Sequence, residues 1–227
     1  RGVRRGTSDL NEFGQQGGRT QTATEQLTRS TNIMGAAILA AGAAAALVAV
    51  KNFADFEKAL VGVGKTTGAT GAELEELGVH VQEISRRLPV ATTELLNIAQ
   101  AAGQLGVTGT ANIVRFTETV GKLGLASDLA GEEAATSLAR ILTVTGTAIS
   151  DVDRLGSTIV QLGNNFAATE SEIAAMTTRV SQATAQFNIT AAEAVGISTA
   201  LKAVGIEAEN GGTQVGKAFN QINQAVR

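Results

Sequence analysis

Only one proline, Pro89, interrupts the 227 residues of this chain. Sheet proteins of this size need many turn signals and alternating apolar and polar residues. Runs of period two are few here, and apolar residues recur instead at spacings of three and four, the helical period. What these helices have to bury is equally narrow. There is no Trp, Tyr or Cys and there are seven Phe, so Ala, Leu, Val and Ile carry nearly all the burial. Small side chains cover little distance, so such a core closes only where helices approach closely. The expected fold class is all-α: a long Ala-rich N-terminal helix followed by a bundle of short amphipathic helices.

Charge narrows the function classes. The net charge is −3, but residues 1–51 hold six Lys/Arg against three Asp/Glu, and residues 52–227 hold twelve against eighteen. A mildly acidic bulk argues against a nucleic-acid surface, and Arg1, Arg4 and Arg5 are too sparse to form a binding arm. Without Cys there is neither a disulfide nor a thiolate metal site. The chain opens at Arg1 without an initiator Met and reads as a piece of a longer one.

Three regions follow. Residues 1–20 are polar and rich in Gly (Gly2, Gly6, Gly14, Gly17, Gly18) and read as a flexible arm or linker. Residues 21–66 read as one long apolar helix. Within it, residues 30–50 carry no charge, and 21 helical residues suffice to span a ~30 Å hydrocarbon core. Ile33, Ile38, Leu39, Leu47, Val48 and Val50 favour insertion, while Ser30, Thr31, Asn32, Gly35 and Gly42 oppose it, so the segment is a marginal transmembrane candidate. Gly42 and Ala46, four apart, would also let helices pack backbone to backbone. The alternative is therefore a helix buried by neighbouring helices or sister subunits. The candidate helix-packing or membrane face comprises Ile33, Ile38, Leu39, Gly42, Ala46, Leu47 and Val50. Phe53, Phe56, Leu60 and Val63 continue the stripe, and the Gly-rich stretch 62–71 is expected to stop it.

Residues 70–227 read as a helical core domain. T-x-x-E spacings mark capping boxes at Thr70–Glu73, Thr169–Glu172 and Thr190–Glu193, and Ser150–Asp153 resembles another cap. Helices are expected over about 93–105 and 110–123, from about Gly131, and after Gly211–Gly212. An internal repeat appears at an offset of 82. IAQAAGQLGVTG (98–109) aligns with VSQATAQFNITA (180–191) through Gln100/Gln182, Ala101/Ala183, Gln104/Gln186 and Thr108/Thr190. Gly106 and Asn188 coincide, the two residue types that best tolerate a left-handed helix cap. The repeat resumes one residue out of register in KLGL (122–125) and AVGI (203–206). This suggests two related helix–cap–helix units, about 92–126 and 174–207, against the alternative of chance similarity between Ala-rich hairpins.

Catalytic motifs are weak. VGVGKTT (61–67) has the Gly64-Lys65-Thr66 end of a phosphate-binding loop, but Ala59 stands where the first Gly belongs, and a helical stripe precedes it rather than a strand. His80 is the only His, so a zinc peptidase site cannot be assembled, and a structural role is expected. The carboxylate pairs Glu75/Glu76, Glu132/Glu133 and Asp151/Asp153 fall in or near first helical turns, where anions offset the helix dipole. No catalytic, cofactor-binding or metal residue is expected, and the chain is read as a non-enzyme.

The order of motifs resembles the conserved core region of phage tail tape-measure proteins. FADFEKALVGVGKTTGATGAELEELGVHVQEIS (53–85) is similar to the family's entry. LPVATTELLNIAQAAGQLGV (88–107) is similar to its next helix, opened by a Thr-rich cap and closed by Leu-Gly and a β-branched residue. LGLASDLAGEEAATSLARIL (123–142) is similar to its Leu-x-Leu-Ala-x-Asp-Leu-x-x-Glu-x-Ala element, through Leu123, Leu125, Ala126, Asp128, Leu129, Glu133 and Ala134. The resemblance covers about residues 50–210. It implies a virion component in the tail-tube lumen that helps set tail length and is ejected at infection. Implied partners are sister copies (three or six by analogy) and tail-tube and tail-tip proteins, with the host membrane or envelope as a further candidate. Neither a cofactor nor nucleic-acid specificity is implied. The alternative function is a membrane-active, pore-forming or envelope-penetrating helical protein.

Overall fold

The structure, a computed structural model, describes residues 43–129 and 131–226, with side chains from Val50 onward. The helices from Asp55 onward belong to one compact unit, Asp55–Arg227. Among the described residues there are nine α-helices and no strand, so the fold is all-α. The helices are α1 (Ala43–Thr67), α2 (Ala72–Arg87), α3 (Thr92–Gln104), α4 (Thr110–Ala126), α5 (Gly131–Thr145), α6 (Val152–Asn165), α7 (Glu170–Ala183), α8 (Ala191–Ala203) and α9 (Ala208–Ala225). Short 3₁₀ turns at Ile149–Asp151 and Ala185–Phe187 precede α6 and follow α7.

Within Asp55–Arg227, helices from α2 onward pack on their sequence neighbours and again on the helix two places on. α2 meets α4, α4 meets α6 and α6 meets α8; α3 meets α5, α5 meets α7 and α7 meets α9. The result is a two-layer stack of helix pairs, the packing logic of helical-repeat proteins. The helices α3, α5, α7 and α9 begin 39, 39 and 38 residues apart. Glu94, Glu133 and Glu172 stand in the first turns of the first three, where a carboxylate suits the dipole. The residue after each (Leu95, Ala134, Ile173) is fully buried.

The corners share one construction. Gly106, Gly146 and Gly205 have φ of 89°, 63° and 81°. Each donates its N–H three residues back, to Gly103, Thr143 and Lys202, and the next residue donates five back: Val107 to Ala102, Thr147 to Leu142, Ile206 to Leu201. This double bond pattern ends a helix by satisfying its last carbonyls, and it needs a residue without a Cβ penalty at positive φ. At the α7–α8 corner Asn188 takes that conformation at φ 52°. A β-branched residue follows in all four cases: Val107, Thr147, Ile189 and Ile206.

The two later capping boxes form as read. Thr169 and Thr190 accept the Glu172 and Glu193 N–H groups at 3.3 and 3.2 Å, and the Glu carboxylates accept the Thr N–H groups at 3.1 and 2.8 Å. Thr70–Glu73 does not form a box. The N-cap of α2 is Gly71, at φ 55° and without a side-chain bond, which puts Thr70 outside the cap position. Ser150–Asp153 does not cap either, because a 3₁₀ turn occupies 149–151 and makes Asp151 the N-cap of α6. Thr108 is not the start of α4, whose N-cap is Gly109. In the resumed repeat KLGL stays inside α4, which runs to Ala126, whereas Gly205 of AVGI ends α8.

The Gly-rich stretch 62–71 stops α1 as expected, though at its later glycines, whereas Gly211 and Gly212, expected to precede the last helix, lie inside it. Helix α1 passes through Gly62 and Gly64 and stops at Thr67, before Gly68 at φ 76°. Gly62 lies under the Gln100 side chain, and Gly64 faces Leu74 and the Ala69 carbonyl. Gly211 and Gly212 are buried within α9. A Cβ on Gly212 would meet the Arg179 Cβ at 2.8 Å and its carbonyl carbon at 3.2 Å, and one on Gly216 would meet the Ala183 Cβ at 3.2 Å. Close approach through small residues four apart is thus used between α9 and α7.

The core is one large apolar cluster running from Leu60 to Val195, with Phe116 fully buried, and a smaller one of Met176, Val180, Ala194 and Val215. Glycines in this fold therefore split into opposite classes. Gly212→Ala forces α9 off α7 and should destabilise by about 1–2 kcal/mol, after a helix-propensity gain of up to about 1 kcal/mol. Gly196→Ala, on the exposed side of α8 with nothing within 4 Å, should stabilise by about 0.5–1 kcal/mol. Urea denaturation of the two variants reads the sign of each.

Candidate functional site

The face named from sequence falls largely outside the described residues. Ile33, Ile38, Leu39 and Gly42 are not described, and Ala46 and Leu47 are described by backbone only, within α1. Val50 lies on the same helix and is 59% exposed. No helix among the described residues is long and apolar enough to cross a membrane.

The phosphate-loop resemblance at 61–67 is helical throughout, so its N–H groups serve α1 and cannot cradle an anion. The Thr66 and Thr67 hydroxyls both donate to the Val63 carbonyl, at 3.1 and 2.9 Å. His80 is flanked on α2 by Glu76 at 3.6 Å and Glu83 at 3.5 Å. Among the described residues no group of three or more His, Cys, Asp or Glu is placed to hold a metal ion. The carboxylate pairs sit at helix starts as expected, with Glu132 and Glu133 in the first turn of α5.

The polar chemistry gathers instead on the layer formed by α2, α4 and α6. An open groove there is lined by Glu76, His80, Arg115, Glu118, Lys122 and Asp153. Arg87 on α2 reaches Glu118 on α4 with two nitrogens, at 3.2 and 3.4 Å, and Lys122 joins the same carboxylate at 3.0 Å. Arg115 on α4 meets Asp153 on α6 at 3.3 Å, and the Thr119 hydroxyl donates to the same Asp153. Asp151 pairs with Arg154 one turn on. Cations and anions alternate, so the groove offers no net field to an ionic ligand. Its bonds tie α2 to α4 and α4 to α6. Burial raises the Glu118 carboxyl, but Lys122 and Arg87 outweigh it and hold it below the ordinary value of 4.5.

Two further ties were not legible in the sequence. Asp128, between α4 and α5, accepts the Ser171 N–H at 2.9 Å and the Ser171 hydroxyl at 2.6 Å, at the start of α7. Burial raises its carboxyl, and the hydrogen bonds from Ser171 bring it below 3.8. Asp128 belongs to the Leu-x-Leu-Ala-x-Asp-Leu element quoted above, but nothing in the spacing pairs it with a residue 43 positions on. Lys202 on α8 is buried, with its Nζ 3.2 Å from Glu172 and 3.7 Å from Glu207. The Thr169 N–H and Lys202 together lower the Glu172 carboxyl. A lone cation on an Ala-rich helix was the only available signal.

The family model for phage-related minor tail proteins matches residues 78–227, from within α2 through α9. Neither a curated protein nor a solved structure matches the chain.

The lowered carboxyls set an acid limit. Glu118, Asp128, Glu172 and Glu193 all titrate below their ordinary values of 4.5 and 3.8. Their contribution is complete above those values and is lost as pH falls through the folded-state ones. The urea midpoint should hold steady from neutral pH down to about 5.5 and then fall. In Glu118→Gln the acid slope should flatten, at a cost of roughly 1 kcal/mol or less at neutral pH. A pH series of urea melts on both proteins measures this.

Proposed function

We propose that this chain, which belongs to the phage-related minor tail protein family, is a tape-measure segment of the tail-tube lumen. It helps set tail length during assembly and leaves the tube at infection. That family makes it a phage tail protein with a structural role. The reading rests on one observation above others: the family match and the ordered tape-measure-like motifs both cover the helix stack. The structural part is supported by the groove's ion pairs Arg87–Glu118 and Arg115–Asp153, which tie helix to helix. The proposed partners are sister copies, three or six by analogy, together with tail-tube and tail-tip proteins. The candidate face on residues 33–50 is assigned to contacts among those copies or to the host envelope.

Removing one helix pair tests the role and the form of the chain in the tail together. Residues 131–169 make one full period of the stack. Extended as a single helix, 39 residues span about 60 Å, whereas a stacked pair adds only about 10 Å. Tail lengths of phage carrying this in-frame deletion, measured by electron microscopy, should shorten. A loss near 60 Å means the segment runs extended in the tube, and one near 10 Å means the stack persists there. Tails of unchanged length on non-infecting particles would show that this segment does not set length.

A further inference from the structure

Seven of the nine buried polar side chains among the described residues lie in one part of the stack, the other two being Thr117 and Thr119 on α4. Thr177 and Ser181 on α7, Thr184 at its C-cap, and Ser198, Thr199 and Lys202 on α8 are all buried. Their hydroxyls do not join helices. Thr177 donates to the Ile173 carbonyl at 2.7 Å, Thr184 to Val180 at 2.6 Å, Ser198 to Ala194 at 2.6 Å and Thr199 to Val195 at 2.9 Å, each within its own helix. The Ser181 hydroxyl is buried with no partner. A hydroxyl bonded four residues back keeps its bond when a neighbouring helix leaves, and it brings little apolar area to the contact.

The apolar core divides along the same helices. Met176, Val180, Ala194 and Val215 form their own cluster across α7, α8 and α9, edged by Ile197, Leu201 and Phe219. The Phe219 ring also lies 5.3 Å from that of Phe187. From α7 and α8, only Ile173, Ala174, Ala191 and Val195 join the large cluster. Two of those four are Ala. The remaining tie across this seam is Asp128 on Ser171, a carboxylate at a helix N-terminus, where it is favoured. The α6–α7 connection beside it carries Phe166, half exposed at 51%.

We infer that α7, α8 and α9 open from the stack as one body, bending at the connection 166–169, and that Asp128 is the latch that holds them closed. The cluster of Met176, Val180, Ala194 and Val215 couples the three helices, so that once released from the stack they lose their helical hydrogen bonds together. The inference does not depend on the tape-measure reading.

Hydrogen exchange by mass spectrometry on the full chain tests it. In the unmutated protein, amides of α7–α9 should share one opening and exchange at least about tenfold faster than those of α3–α5. Asp128→Ala should accelerate α7–α9 by about tenfold more and leave α3–α5 unchanged. Ser171→Ala, which keeps the N–H bond to Asp128, should give the same pattern at smaller amplitude. Ser181→Ala removes an unpaired buried hydroxyl and should slow α7–α9 exchange severalfold, an effect that unfolding cannot mimic. A common exchange rate for α3–α9, fraying of α9 alone, or an Asp128→Ala response spread evenly over all helices would each overturn the inference.

Discussion

The reversals at the α3–α4, α5–α6, α7–α8 and α8–α9 corners rest on a single backbone state, positive φ at the residue after the helix. For residues with a Cβ that state costs roughly 1–2 kcal/mol, and only Gly, or Asn with its short polar side chain, takes it routinely. Gly106, Gly146, Asn188 and Gly205 supply it. At the three Gly corners the last carbonyls are satisfied by the corner's own N–H groups, and at all four the next α-helix begins with two to five residues between it and the left-handed one. A two-layer stack then follows from repetition, without any long connection to direct it.

Closeness in turn selects the side chains. With Ala, Leu, Val and Ile as filler, interaxial gaps are closed by bringing backbones together, and this is where the internal glycines act. Gly212 and Gly216 admit α7 against α9, and Gly103 admits Thr66 and Thr67 of α1 against α3. Charged residues cannot enter such seams. They are left to the outer layer, where Arg87, Glu118, Lys122, Arg115 and Asp153 bridge successive helices at the rim. Glu170 and Lys202 are the exceptions among the described residues, and Glu172 and Glu207 meet the Lys202 ammonium group.

How much of this the sequence declares depends on whether the determinant is local. Helical class, most helix bounds and the boxes at Thr169 and Thr190 were legible because periodicity and capping act over four residues. The left-handed corners at Gly106 and Asn188 were legible through their alignment in the repeat. Glycine was the ambiguous letter. At 62, 64, 211 and 212 it reads like a breaker, yet its reason there is a neighbouring helix far away in sequence. Thr70 failed as a cap because left-handed Gly71 shifts the helix start by one residue, a choice that spacing alone does not encode. Asp128 and Ser171 were invisible as a pair for the same reason, since their meeting is a product of the stack. The face at residues 33–47 has no described side chains against which to be read.

A stack held by nearest-neighbour contacts keeps disturbances local. Its cooperativity then depends on how much apolar area each seam contributes, and that amount is uneven here. Across α3, α4 and α5 the seams hold Leu95, Leu96, Ile113, Phe116, Leu138 and Ile141, all essentially free of solvent. Within α7 and α8 that apolar filling is interrupted by buried Thr177, Ser198 and Thr199, whose hydroxyls turn back to their own helices. Those residues cost little to bury and little to expose. A chain needing one rigid block would not place them there together. Their concentration in one region means that the fold has a strong middle and a C-terminal end attached through Ile173, Ala174, Ala191 and Val195 and the bonds of Asp128 to Ser171, so a change of one carboxylate there reaches three helices.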